Sequence, residues 1–247
     1  MIYRYDNTFP GFLAVVWQIY HDGTSRMEAI SPAGEGPSLF HEEVTVPADA
    51  GKAEDVLAAF ARDCGGRAAH ILYYAFLSEA PHREAVLFRY LKEGFRRKKG
   101  LWQCRKEPWM WTAAEWAERT GNESHRMLGL LRFRELKGGL FYGEMAPDCD
   151  ILSLTAGHFV RRMAGHSWAI HDVKRHRAAL YDGKEMVIAD VTEAWTPELS
   201  RDEEAFSNLW KEYYRHIAIT ERYNPSLRRS FMPEKYWAFL PEMEEGK

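Results

Sequence analysis

The feature that most constrains this chain is a change of hydrophobic period. From Ala53 to about residue 120, apolar residues recur every three or four positions, in segments such as AEDVLAAFARDC, AAHILYYAFLSE and HREAVLFRYLKEGFRRKKG. From His125 to Val191 the spacing drops to two, in HRMLGLLRFREL, LFYGEM, WAIHDV, AALYD and EMVIADV. A period near 3.6 lays apolar side chains along one stripe of a helix, and a period of two lays them on one face of a strand. A helical first half must therefore give way to a sheet.

Within that second stretch one segment, ILSLTAGHFVRRM, returns to helical spacing, with Asp150 as a candidate cap and Gly165 as its end. Lys137-Gly138-Gly139 and Asp182-Gly183 read as hairpin turns. The order strand, strand, helix, strand, strand, strand predicts an α+β fold: mostly helical, with a small antiparallel sheet crossed by one helix in the middle of the chain. Before it, residues 2–5 read as a strand. Asp6, Asn7 and Thr8 offer caps to a helix that carries Pro10 in its first turn and stops at Asp22-Gly23. Met27–Ile30 and Val44–Val46 read as short strands, and a helix is expected over Thr112–Thr120. After the sheet the pattern is helical again over 202–219 and 225–229, followed by a short MPEKYWAFLPE element. The expected division is a mainly helical part over 1–122, an α+β unit over 123–192 and a helical segment over 193–247 that packs back. One intertwined domain is the equal alternative.

Composition narrows the class. The 247 residues are 46% hydrophobic and 28% charged, as in a soluble globular protein, and no apolar run is long enough to span a bilayer. The beginning, MIYRYDNTFPGF, has no basic stretch followed by an apolar one, so no secretory signal is expected. Cys64, Cys104 and Cys149 lie about forty residues apart, without a CxxC pair or a Cys/His cluster at zinc spacing. Buried thiols in a reducing cytoplasm are the expectation, with no metal and no cofactor. GxxxxGK[ST], GxGxxG after a strand, HExxH, GxSxG and the zinc-deaminase pattern are all absent, against the corresponding enzyme classes.

The formal net charge of −3 conceals a sorted distribution. Residues 1–82 carry 5 basic and 11 acidic side chains, residues 83–139 carry 14 and 7, and residues 140–247 carry 14 and 18. The middle is thus a basic block centred on Arg89–Lys106, and it includes Arg96, Arg97, Lys98 and Lys99. Arg132, Arg161, Arg162, His216, Arg222, Asn224, Arg228 and Arg229 extend the basic and polar set toward the end of the chain. Two readings stay open: solvated helix faces, or a phosphate-binding surface in which planar guanidinium groups hold anions.

The densest polar constellation falls in the α+β unit. His158, Arg161 and Arg162 lie three and four apart on one helix. His171-Asp172 interrupts an apolar strand, while Arg132, Arg134 and Glu135 end the first long strand. As chemistry, these residues would make an anion pocket in which His158 or His171 acts as acid or base beside Asp172 or Glu135. As architecture, they would join helix to sheet through ion pairs. Tyr213, Tyr214, Tyr236 and Trp237 are expected in the core, although aromatics beside arginines also suit single-stranded nucleic acid.

YRYDNTFPGFL, YAFLSE, HRMLGLLRFREL, the D-I-L-x-L…HF-x-RR helix, WAIHD and YYRHIAITERYNP…RR-x-FMPEKYWAFLPE together resemble a bacterial family assigned to DNA metabolism or repair, essentially a domain of unknown function. The matching segments run from Tyr3 to Glu242. The resemblance implies a DNA repair role by association: such proteins are typically encoded beside a radical-SAM DNA repair protein, and some are fused to a uracil-DNA-glycosylase-like domain. It carries over no catalytic residues, and no glycosylase chemistry is expected of this chain. Three functions follow in order of preference: a DNA-binding accessory of the radical-SAM or glycosylase-like partner; an enzyme using the His/Arg constellation on a phosphorylated or nucleic-acid substrate; and a scaffold for the radical-SAM protein without DNA affinity.

Overall fold

The computed structural model of the chain describes residues 1–23, 27–34, 36, 41–191, 198–217 and 224–243, without the side chains of 215 and 217. It divides into two compact units, Met1–Gly121 and Asn122–Lys247. Among the described residues no helix is long and apolar enough to cross a membrane.

The first unit builds a three-stranded parallel sheet from β1 (Ile2–Tyr5), β2 (Ala29–Pro32) and β3 (Glu43–Thr45), with β1 in the centre. Around it lie α1 (Phe9–Asp22), α2 (Ala50–Cys64), α3 (Gly66–Leu77) and α4 (Arg83–Arg97), followed by a 3-10 segment over Lys98–Cys104. Of the three predicted caps for α1, Thr8 does the work: its hydroxyl accepts from the Gly11 amide at 3.0 Å and donates to Asp6 Oδ1 at 2.7 Å. A Cβ at residue 11 would come within 2.0 Å of that carboxylate oxygen, so a larger residue there would displace the Asp6 side chain from the cap. Tyr5, Phe12 and Phe76 pack as tilted rings with centroids 5.7–6.5 Å apart, and the Tyr5 hydroxyl donates to Glu84 at 2.6 Å.

α5 (Pro108–Leu130) contributes to both units and corrects the sequence reading. The helix expected over Thr112–Thr120 continues for ten more residues, through the first half of the segment read as a long strand. Thr120, Glu123, Ser124, Met127 and Leu131 are all buried, at spacings of three and four. That helical stripe outweighs the local alternation of HRMLGLLRFREL. The first strand of the second unit, β4, is only Phe133–Glu135.

The second unit holds a five-stranded sheet in the order β4-β5-β6-β7-β8, from β4, β5 (Phe141–Met145), β6 (Trp168–Asp172), β7 (Arg177–Tyr181) and β8 (Met186–Asp190). The expected helix-rich α+β class and element order are found. Three pairings are antiparallel as expected, whereas β5 and β6 run parallel. The reason is α6 (Leu152–Arg162), which lies between them in the chain: a helical crossover brings the next strand back in the same direction, and a tight turn reverses it. Such a turn joins β4 to β5, where Gly138 and Gly139 adopt φ of 93° and 81°, conformations that suit glycine. Asp150 is not the cap of α6; Ile151 occupies that position without a side-chain cap, and Asp150 instead accepts from Arg177 at 3.2 Å.

α6 covers one face of the sheet, where Phe159, Leu152 and Ala156 pack with Trp168, Ile170, Ala179 and Tyr181. By strand alternation, Arg134, Tyr142, Glu144, Ala169 and His171 belong to the other face. After the sheet come α7 (Glu203–Ile217), α8 (Pro225–Phe231) and 3-10 turns over Glu234–Phe239 and Pro241–Met243. These turns dock through Glu123 on α5. Its carboxylate accepts from Lys235 at 2.8 Å, from the Tyr236 hydroxyl, and from the amides of Asp148 and Cys149 at 3.0 and 2.7 Å. Burial by itself would raise the Glu123 pKa, but these donors override it and hold the group down at about 2. Burial and Glu123 push the Tyr236 hydroxyl up to about 12.

Candidate functional site

β4 is an edge strand, and an edge strand presents backbone groups that need partners. The stretch around Ser200 and α7 supplies them. The Ser200 amide donates to the Glu135 carbonyl at 2.9 Å, and the Glu135 amide donates to the buried Glu203 carboxylate at 2.7 Å. The other Glu203 oxygen accepts from Ser207 at 2.9 Å. These bonds lay α7 along β4 but leave space between them: a groove of roughly 440 Å³. Its apolar walls are Phe133, Phe141, Phe206, Trp210 and Pro241. Its polar lining is Arg132, Arg134, Glu135, Glu203 and Ser207.

The two arginines differ sharply. Arg132 grips the fully buried side chain of Glu242 with two nitrogens, at 3.1 and 2.6 Å, and lies 5.2 Å over the Trp210 ring. Glu242 also accepts from the Trp210 indole at 2.9 Å. Burial would raise the Glu242 pKa, but Arg132 and Trp210 keep it below the usual carboxylate range. Arg132 thus serves to fix the tryptophan. Arg134 approaches Glu144 at only 4.0 Å, makes no hydrogen bond among the described residues, and keeps 32% of its side chain exposed. Its five N–H donors are therefore available to an anion.

On the sheet face that Arg134 shares, Tyr142 links two other groups. Its hydroxyl lies 2.7 Å from His171 Nδ1 and 3.0 Å from Glu144 Oε1. Burial lowers the His171 pKa and favours the neutral ring. Its Nε2 is buried without a hydrogen-bond partner among the described residues. Asp172, one residue on, faces the opposite way. It is fully buried, accepts from Arg175 at 2.8 Å and from the amides of Lys174 and Arg175, and so ties off the β6–β7 corner. His158 sits on α6, edge-on to Phe159 at 5.2 Å. His158 and His171 therefore lie on opposite sides of the sheet and share no cleft. Glu135 reaches the groove, while Asp172 does not.

The remaining candidates are dispersed. Arg161 and Arg162 are exposed in the last turn of α6, where the helix dipole favours cations. His216 is exposed and bonds the Glu212 carbonyl through Nδ1 at 2.8 Å. Asn224 caps α8 by accepting from the Leu227 amide at 3.0 Å. Arg228 lies 4.9 Å over Trp237, and Arg229 pairs with Glu234 at 2.6 Å. Arg222 lies outside the described residues. In the first unit, Arg96 and Arg97 both bond Glu93 Oε2, at 2.5 and 2.8 Å, Lys98 approaches Asp63 at 3.9 Å, and Lys99 is exposed. Glu93 is held below its ordinary pKa by Arg97 and then Arg96. A second groove in that unit, roughly 470 Å³, is lined by Trp17, Tyr20 and Phe95, with His21 stacked on Trp17 at 4.4 Å.

Sequence reasoning missed Phe206, Trp210 and Phe141 as site residues, and Glu242 as the anchor of Trp210. One signal was present: Phe206, Leu209, Trp210 and Tyr213 recur at helical spacing, yet all remain exposed.

The sequence profile of a domain of unknown function, DUF4130, matches residues 81–242. That stretch is roughly two thirds of the chain and contains every element from α5 to the last 3-10 turn. The chain belongs to the DUF4130 family. The DUF4130 match includes both lining arginines of the groove, all its aromatic walls and the Glu123 anchor, while β1–β3 and α1–α3 precede it. No curated protein matches the chain. Among the described residues of this DUF4130 protein no group of histidines, cysteines and carboxylates is placed to hold a metal ion, and Cys64, Cys104 and Cys149 are buried free thiols.

Proposed function

We propose that this protein binds nucleic acid, as an accessory in DNA metabolism or repair beside a radical-SAM or uracil-DNA-glycosylase-like partner. The observation that carries the binding half is the face of α7 beside β4: Phe206 and Trp210 stay exposed, and the Arg132 guanidinium lies 5.2 Å over the Trp210 ring. A guanidinium beside exposed aromatic rings is the combination that holds single-stranded nucleic acid, phosphate to the charge and bases to the rings. The exposed Lys99, Arg161 and Arg162 add cationic surface of the kind that contributes salt-dependent affinity. The DNA-metabolism half rests on the family resemblance of the sequence, and the buried free thiols suit a cytoplasmic setting. The enzyme reading draws no support from the two histidines, which the sheet separates.

Fluorescence anisotropy with labelled single- and double-stranded oligonucleotides at low salt tests the proposal. The single strand should bind, with log K falling linearly as log salt rises. Trp210→Ala should weaken binding by about tenfold, as loss of one base–aromatic stack does. Replacing Arg96, Arg97, Lys98 and Lys99 together should weaken binding less, with no sequence preference. Absence of binding at low salt overturns the proposal, and stable copurification with the radical-SAM protein in that case would favour the scaffold function.

A further inference from the structure

The two edges of the five-stranded sheet are treated differently. At β4, the Ser200 amide and the Glu203 carboxylate occupy the outward backbone groups of Glu135. At β8, the opposite edge, the described residues supply no such cover. The hairpin register decides which groups stand open there. The Asp182 amide donates to the Glu185 carbonyl at 3.3 Å at the turn, and the Val191 amide donates to the His176 carbonyl at 2.7 Å at the far end. Directly opposed residues of antiparallel strands alternate between bonded and non-bonded pairs. Val187 and Ala189 therefore bond to β7, while the N–H and C=O groups of Met186, Ile188 and Asp190 point away from the sheet.

Such an edge is a template for another strand unless it is blunted by proline, charge or a bulge. From Met186 to Ala189 there is no proline and no charge, and the register with β7 is unbroken. Val187 is 64% exposed, and Leu180, its cross-strand neighbour on the same face, is 43% exposed. On the other face Met186 and Ile188 are half-buried at the rim of the core that α6 covers. Charge lies only at the two ends. Lys184 is exposed before the strand, and Asp190, which Arg177 approaches at 3.8 Å, closes it with its side chain 81% exposed. A strand with a cation before it and an anion at its end complements a copy of itself when the two run antiparallel.

We infer that β8 pairs with β8 of a second copy of the chain, antiparallel about a two-fold axis at Val187, so that two five-stranded sheets become one. In this register the outward groups of Met186 meet those of the second copy's Ile188. Val187 meets its own counterpart beside Leu180, and Lys184 lies opposite the second copy's Asp190. Apolar side chains then meet on both faces of the joined sheet, and the charges at its rim are opposite. Centring the pair on Ile188 instead would set Met186 against a carboxylate, Asp190. α7 lies along β4, at the far edge of the sheet, so pairing through β8 leaves its aromatic face open and does not depend on nucleic acid.

Sedimentation equilibrium on the full chain, without nucleic acid, tests the pairing. Between about 1 and 100 μM the mean mass should rise from that of a monomer toward that of a dimer. Val187→Lys, at an exposed position where folding is little affected, sets two like charges directly opposite one another and should leave the chain monomeric over that range. Lys184→Asp should weaken the dimer about threefold, and adding Asp190→Lys to it should restore the affinity. Mild oxidation reads the register. A non-hydrogen-bonded pair holds its Cα atoms about 4.5 Å apart, within reach of a disulfide, so Val187→Cys should crosslink two copies. Ala189→Cys, opposite Glu185 in this register, should not, and the three native thiols are buried. A monomer at every concentration, a dimer that persists unchanged in Val187→Lys, or crosslinking through Ala189→Cys in preference to Val187→Cys overturns the pairing about Val187.

Discussion

The end of α4 and the groove between β4 and α7 both concentrate arginine, and they differ in what the arginines are doing. At α4, the exposed Arg96 and Arg97 converge on one half-buried carboxylate, Glu93, one helical turn back. In the groove, Arg132 is locked to the buried Glu242, and Arg134 beside it is left without a hydrogen bond among the described residues. The richer run in sequence is thus partly self-neutralised, and in the sparser one Arg134 keeps only a 4.0 Å approach to Glu144. Charge density along a chain and charge available to a ligand are separate quantities. Short-range helix pairs remove some of the first, and only long-range packing decides the second.

The buried and exposed ties should therefore break with very different consequences. The largest effect is expected at Glu123, which ties four donors in the second unit. Its folded pKa of about 2 lies below the ordinary 4.5, so its stabilisation is fully present above pH 4.5 and is lost as pH falls toward 2. Glu123→Gln should reduce stability at neutral pH by about 3 kcal/mol and flatten the acid limb of the stability profile. Urea titrations of both forms at several pH values measure this, and parallel acid profiles would refute it. Next comes Glu242→Gln, which leaves Arg132 without its buried counter-charge and loosens Trp210. A loss of about 2 kcal/mol is expected, together with weaker single-strand binding, read by denaturation and anisotropy on the same variant. The smallest effect is expected at Glu93→Gln. The melting temperature should stay within about 1 °C, because the pair is exposed, while DNA affinity rises about twofold as Arg96 and Arg97 are released. An unchanged affinity would mean that the α4 block plays no part in binding.

Much of the fold was legible where local chemistry and global packing agree. The α1 cap at Thr8, the glycine turn at Gly138-Gly139, the strands WAIHD and AALY, and the start of α8 after Asn224 all follow from residues that permit few alternatives. The stretch from His125 to Leu131 was misread because a short apolar run such as LGLL fits either period. The arbiter was burial of Thr120, Glu123, Ser124, Met127 and Leu131 along one helical stripe. The direction of β6 likewise depended on what α6 does as a connection, which strand patterns do not report.

The site was less legible than the fold. Its arginines and Glu135 stand out in sequence as charged residues, but Phe206 and Trp210 look like the apolar stripe of an ordinary amphipathic helix. His158 and His171 look like partners, although strand alternation and the position of α6 place them on opposite sides of the sheet. By itself the sequence determined the helix-rich α+β class, the order of its strands and helices, and the uneven placement of charge, because those follow from spacing, capping and turn chemistry within a few residues. Tertiary structure alone decided which charges remain unpaired and which aromatics stay uncovered. Those outcomes depend on groups brought together from distant parts of the chain: Glu242 on Arg132 and Trp210, and Glu203 on the edge of β4.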